Sequence, residues 1–137
     1  MGSLSNKRVI VGVTGGIAAY KSADLVRRLI KMGAEIRVVM TPAATEFVRP
    51  LTFQALSGNT VHSTLVDADA EAAMGHIELA KWADLLLVAP ATAHTISTIV
   101  QGRADTLLGA IYLAVNAPTM IAPAMNQAMW HLSLIHI

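Results

Sequence analysis

Short apolar runs alternate with helical patterns along the whole chain, and that alternation restricts the fold more than any other feature of the sequence. Val9-Ile10-Val11-Gly12-Val13, Glu35 to Met40, Asp84 to Val88 and Thr119 to Ala122 read as strands. Each is so nearly continuous in apolar residues that it has no face to give to water, the pattern of a parallel sheet covered on both sides. Helices are expected between them at Ile17 to Met32, Leu51 to Leu56, Gly75 to Ala83, up to about Val100, and Asp105 to Ala114. The order βαβα is that of an α/β sandwich with helices on both faces.

Local punctuation agrees with this order. Leu25, Val26, Leu29 and Ile30 share one face of the first helix, and Gly33 is its expected stop. Thr41-Pro42 offers an N-cap and a first-turn proline for a following helix, which Arg49-Pro50 breaks and Ser57-Gly58 ends after a further short piece. Thr60 to Ser63 reads as a short strand, and the acidic, alanine-rich stretch Asp67 to Met74 as a mobile surface segment. Pro90 to Thr95 reads as a loop, and Thr119 to Ala122 as a buried strand that breaks at Pro123.

The composition narrows the function. The length, 137 residues, suits one domain with one core. Charged residues make up 14% and hydrophobic ones 54%, against a usual charged share of roughly 25%. Part of the surface is therefore expected to be covered, by other subunits or by a further domain. A net charge of +1 without a basic tract gives no reason to expect nucleic acid. There are no cysteines, which excludes disulfides and thiolate metal sites, and none of the five histidines stands at ligand spacing from another, so no metal is expected. The start, Met1 to Lys7, lacks the apolar core of a signal peptide. The charge-free run Thr106 to Trp130 is interrupted by Asn116, Pro118 and Pro123 and reads as helix, turn, strand and loop rather than a membrane span. A cytoplasmic protein is expected.

In a sheet of this kind ligands sit outside the carboxyl ends of the strands. Thr14-Gly15-Gly16, Thr41-Pro42, Pro90 to Thr95 and Pro123 to Asn126 each follow a strand, so the fold gathers them on one rim. His76 is expected to join them, because its helix runs antiparallel to the next strand and begins at that rim. Gly15-Gly16 opens a helix and suits an anion. The spacing is not that of a dinucleotide fingerprint, and Met40-Thr41 stands where a ribose-binding acid would, so a mononucleotide fits better than NAD. A plain glycine turn is the other reading. At a helix start His76 should stay neutral and able to accept a proton, or it is simply a cap. For Pro123 to Trp130, a ligand edge offering Asn126 stands against an ordinary loop with Met125, Met129 and Trp130 in the core.

Three segments together are specific. Gly12-Val13-Thr14-Gly15-Gly16-Ile17-Ala18-Ala19-Tyr20-Lys21, Gly75-His76-Ile77-Glu78-Leu79 and Pro123-Ala124-Met125-Asn126-Gln127-Ala128-Met129-Trp130 resemble the flavin-dependent cysteine decarboxylase family, above all its phosphopantothenoylcysteine decarboxylase domains. The resemblance runs from about Lys7 to His131. Pro90 to Thr95 resembles the family's Pro-Ala-Ser-Ala-Asn-Thr segment, with Thr92 for serine and His94 for asparagine. It implies a flavodoxin-like fold, homo-oligomers built as trimers or dodecamers, and FMN near a subunit interface. The FMN phosphate is then expected on Gly15, Gly16 and Ile17 with Thr41 nearby, and the ring along Thr92, Ala93 and Thr95 with Met125 close. His76 is implied as the base that assists oxidation, and Asn126 as the holder of the substrate carboxylate.

The family also places a proton-donating cysteine in a flap beyond the Pro123–Trp130 motif, and this sequence has none. The resemblance thus implies an FMN-binding decarboxylase domain over residues 1–131 that stops before the reductive step, and a tail, residues 132–137, unlike the family's continuation. A decarboxylase of peptide C-terminal cysteines and a non-catalytic FMN-binding regulatory subunit are the alternatives.

Overall fold

In the computed structural model, which describes residues 2–64 and 75–131, four strands form one parallel sheet in the order β2-β1-β3-β4. They are β1 (Arg8–Val13), β2 (Glu35–Met40), β3 (Leu85–Ala91) and β4 (Thr119–Pro123). The helices are α1 (Lys21–Lys31), α2 (Pro50–Ser57), α3 (His76–Trp82), α4 (Ala93–Val100), α5 (Leu107–Ala114) and the short α6 (Gln127–Trp130). Two 3-10 turns, Ile17–Tyr20 and Ala43–Glu46, precede α1 and α2.

Side chains alternate across the sheet, and the apolar residues divide accordingly. Val9, Val11 and Val13 of β1 pack with Ile36, Val38, Leu87, Val26 and Phe53 on the side of α1 and α2. Ile10, Val39, Leu86 and Val88 pack with Leu79, Ile96, Leu108 and Ile111 on the side of α3, α4 and α5. The three-layer arrangement expected from continuous apolar strands is present, with a core on each face.

Helix boundaries follow backbone chemistry. Gly33 (φ 100°) and Gly58 (φ 74°) take the left-handed conformation that ends α1 and α2. Asp24 pairs with Arg27 at 2.9 Å and Arg28 at 2.7 Å on the exposed face of α1. Those guanidinium groups hold its carboxyl below the usual carboxylate range. Thr106 caps α5, its hydroxyl accepting from Gly109 N at 3.1 Å, so that helix begins later than the expected Asp105. Thr41 Oγ1 accepts from Ala44 N at 3.2 Å, but the expected helix is only a 3-10 turn, and Pro42 rather than Thr41 stands at its N-cap. The segment around His62 forms a single parallel bridge to Val39 rather than a strand.

Two expectations are corrected. Pro90 and Ala91 belong to β3, not to a loop: Ala91 pairs with Pro123 beyond a register irregularity, and Ala124 N bonds Ala91 O at 3.0 Å. Proline has no N–H to give to a ladder, but Pro90 falls in the irregular stretch between Val88 and Ala91, where a strand tolerates it, so β3 continues where the sequence suggests a break. β4 is not a buried strand either. It forms the edge of the sheet, and Met120, Ala122 and Pro123 are exposed because no described element covers them. Residues 67–74 and 132–137 lie outside the described residues. Among the described residues no helix is long and apolar enough to cross a membrane.

Phe53 is wholly buried whereas Phe47 is 52% exposed. Phe53→Ala is expected to lower the unfolding free energy by about 3–5 kcal/mol, and Phe47→Ala by less than about 1 kcal/mol, both measurable by denaturant titration.

Candidate active site

The exits of all four strands open into one cavity of about 1070 Å³. That lies at or above the range of roughly 300–1,000 Å³ usual for small-molecule sites, leaving room for a cofactor and part of a second molecule. Gly15, Gly16 and Ile17 line it after β1, Thr41 after β2, Thr92, Ala93 and Thr95 after β3, and Met125 and Asn126 after β4. Every residue expected from the sequence to meet the cofactor therefore lines this one cavity.

The two glycines do different work. A Cβ on Gly15 would stand 2.5 Å from Ala43 Cβ and 2.9 Å from Ala43 C, so the first loop presses against the second where only glycine fits. Gly16 is extended (φ −156°), and its nearest neighbour for a Cβ is Thr92 Cγ2 at 3.5 Å, an ordinary contact. The helix start after Gly16 supplies backbone donors whose intrahelical partners do not exist. Lys21, which is not among the site residues expected from the sequence, is the one lysine or arginine among the described lining residues, and no described carboxylate lines the cavity. Its place at the start of α1, one 3-10 turn after the glycine loop, is the signal that points to it.

At the other wall hydroxyl groups are engaged with one another. Thr92 caps α4, its Oγ1 accepting from Thr95 N at 3.2 Å, and the two hydroxyls lie 3.1 Å apart. One of their two protons is used between them and the other remains for a ligand. Asn126 caps α6: its Oδ1 accepts from Met129 N at 2.9 Å. The carboxamide oxygen is thereby occupied, and the amide N–H groups are left as donors for an anion. Met125 packs partly against the core, while Met129 and Trp130 are exposed by 44% and 41%, so the all-core reading of that motif does not hold in the single chain.

His76 does not line this cavity. It is the first residue of α3, half-buried, with Gly75 as N-cap. The reason is one of length. α3 ends and β3 begins at the foot of the sheet, where Asp84 N bonds Arg8 O at 2.7 Å. A helix the length of α3 rises about 10 Å, while a strand the length of β3 climbs about 23 Å, so the helix start falls short of the rim. His94, by contrast, does line the cavity. Among the described residues no cluster of three metal-ligating side chains occurs.

A protein-family model described as Flavoprotein matches residues 1–136. The chain belongs to the Flavoprotein family. It is 59% identical over 131 residues to the coenzyme A biosynthesis bifunctional protein CoaBC of Haemophilus influenzae, covering 96% of this chain and 33% of that protein. The CoaBC of Escherichia coli is 55% identical over 128 residues, covering 93% and 32%. The chain thus spans about a third of the length of the curated relatives it matches. Among solved structures, the FMN-dependent cysteine decarboxylase SpaF superposes with a TM-score of 0.86 at 33% identity, covering 98% of this chain and 77% of that one. A PPC decarboxylase mutant complexed with pantothenoylaminoethenethiol gives a TM-score of 0.76 at 31% identity, covering 95% and 73%. The flavodoxin-like architecture expected from the sequence is the architecture of these neighbours.

Gly15→Ala is expected to lower stability by about 1–3 kcal/mol through overpacking against Ala43. Gly16→Ala should stay within about 0.5 kcal/mol of the parent. Paired thermal and denaturant unfolding curves separate the two.

Proposed function

We propose that this chain is the FMN-binding phosphopantothenoylcysteine decarboxylase unit of coenzyme A biosynthesis, residues 1–131 forming that unit and residues 132–137 a different tail, working in the cytoplasm as a homo-oligomer. The observation that carries the reading is the convergence of four strand exits on one cavity with an anion-suited glycine loop at one end and a donating carboxamide at the other. Its identity to CoaBC proteins and its likeness to a PPC decarboxylase point to the substrate.

FMN fits these residues. Gly15, Gly16 and Ile17, with Lys21 and Thr41 beside them, hold the phosphate by backbone donors and one cation. The Thr92 methyl, Ala93, Thr95 and Met125 offer a small, largely apolar bed with one spare hydroxyl proton for the ring. Bound there, FMN supplies the two-electron oxidant that prepares the cysteinyl end of the substrate for loss of its carboxylate. Asn126 holds that carboxylate through its amide N–H groups, and a neutral donor suits a group about to leave as uncharged CO₂. His76 takes the proton released in the oxidation.

His76 stands outside the cavity of its own chain, and we place it in the cavity of a neighbouring copy. The low charge content supports such an assembly, as do the exposed apolar side chains Ile17 and Tyr20 at the cavity and Leu51 at the start of α2. The absence of any cysteine favours a second, narrower reading, in which the chain binds FMN without completing turnover.

Purified or reconstituted protein is expected to show a flavin absorbance band that bleaches, with CO₂ release, on anaerobic addition of phosphopantothenoylcysteine. Absence of the band after reconstitution overturns the FMN assignment. A band that responds to a peptide with a C-terminal cysteine but not to this substrate moves the assignment to peptidyl-cysteine decarboxylation. Repeated turnover to 4′-phosphopantetheine by this cysteine-free chain would refute the expected stop after decarboxylation.

Co-expressed His76→Asn and Asn126→Asp chains should regain bleaching in mixed oligomers, since some cavities then pair an intact Asn126 with a neighbour's His76. If each His76 serves its own cavity, every site keeps one defect and mixing restores nothing.

A further inference from the structure

We propose that Thr14 is a positioning residue for the flavin: its hydroxyl, bonded to both the carbonyl of Pro90 and the amide of Thr92, sets the wall on which the ring rests. The proposal deepens the FMN reading above and depends on it. Thr14 is buried, with 1% of its surface exposed, and it does not line the cavity, so it acts only through what it holds.

The need for such a residue follows from the end of the central ladder. β1 and β3 pair from Val9↔Leu85 to Gly12↔Val88 and no further. The β3–β4 register is irregular between Val88 and Ala91. Two carbonyls of β3, those of Ala89 and Pro90, fall in this gap, and buried carbonyls require partners. Ser22 Oγ donates to Ala89 O at 2.6 Å, and Thr14 Oγ1 donates to Pro90 O at 2.5 Å. The second bond of Thr14 is different in kind. Its oxygen accepts from Thr92 N at 3.1 Å, so one hydroxyl spans the last turn of the strand and fixes the residue that begins α4.

What Thr92 does next depends on that anchor. Its hydroxyl is committed to the cap of α4 and to Thr95, which turns its methyl toward Gly16. The spare hydroxyl proton of the Thr92–Thr95 pair and the spacing between α4 and the glycine loop are both set from Thr92. Ser22 satisfies a carbonyl one residue earlier and has no bond to Thr92, so it supports the fold without orienting the wall.

Thr14→Val keeps the shape and removes both bonds, Thr14→Ser keeps the hydroxyl, and Ser22→Ala removes the neighbouring support. FMN dissociation constants by fluorescence quenching, visible circular dichroism of the bound flavin, and melting of the FMN-free protein are the readouts. Thr14→Val should bind FMN about tenfold more weakly with an altered flavin dichroism, Thr14→Ser should match the parent, and Ser22→Ala should melt earlier with an unchanged flavin spectrum. Unchanged affinity and dichroism in Thr14→Val would overturn the proposal, as would equal disturbance of the flavin by Ser22→Ala. Should Thr14→Val fail to fold, Thr14→Ser decides: a parent-like flavin signature supports the hydroxyl's role and a lost one refutes it. A parent protein that binds no FMN removes the FMN reading and this inference together, whereas normal binding by the parent and by Thr14→Val removes this inference alone.

Discussion

Where β1 and β3 stop pairing, backbone carbonyls leave the ladder inside a buried layer, and the rest of the site is arranged around their satisfaction. Within a parallel sheet each strand covers its neighbours' polar groups, but beyond Gly12 and Val88 the central pair no longer does so. The sequence answers with hydroxyls rather than with more strand: Ser22 from α1 and Thr14 from the loop after β1. Both come from the segment that also carries Gly15 and Gly16. The same stretch of chain therefore closes the core and builds one end of the cavity, and the close approach of Gly15 to Ala43 ties the loop after β2 to it.

The surface shows what a low charge content looks like in three dimensions. The described charges sit mainly on α1 and on loops, with Asp24 pairing twice with its own helix. Elsewhere apolar side chains meet solvent: Ile17 is 83% exposed, Leu51 69% and Met120 57%. Scattered exposed apolar residues are ordinary. Here they include the lip of the cavity and the outer edge of the sheet, where exposed backbone also invites pairing. Oligomerisation and further chain are the two kinds of cover that the composition suggested, and these two places are where cover is missing.

Much of this was legible in the sequence. β2 runs from Glu35 to Met40 as expected, because apolar β-branched residues between Gly33 and Thr41 leave little freedom. The stops at Gly33 and Gly58 were legible because only glycine takes those backbone angles cheaply. β4 was misjudged because its residues are apolar enough for burial, while its place at the edge depends on strand order, which no local pattern records. The full length of β3 is not legible because proline usually ends a strand, and its continuation depends on the hydroxyl of Thr14 and on pairing with Pro123, both distant in sequence. Lys21 is not legible as a lining residue because it also fits the polar face of an amphipathic helix.

The different fates of Asn126 and His76 have one cause. A residue that follows a strand is placed by topology alone: every strand of a parallel sheet ends on the same edge, whatever its length. Asn126 follows β4 and lines the cavity. A residue at the far end of a preceding helix is placed by a comparison of lengths, since helix and strand rise at about 1.5 and 3.3 Å per residue. α3 would need roughly twice its residues to bring its start level with the end of β3. Its packing on α5 through Leu79 and Ala80 holds it low on the sheet. If His76 serves the chemistry as proposed, so short a helix reaches a cavity only where another copy brings one to it or where α3 moves, and the packing of α3 on α5 favours the other copy.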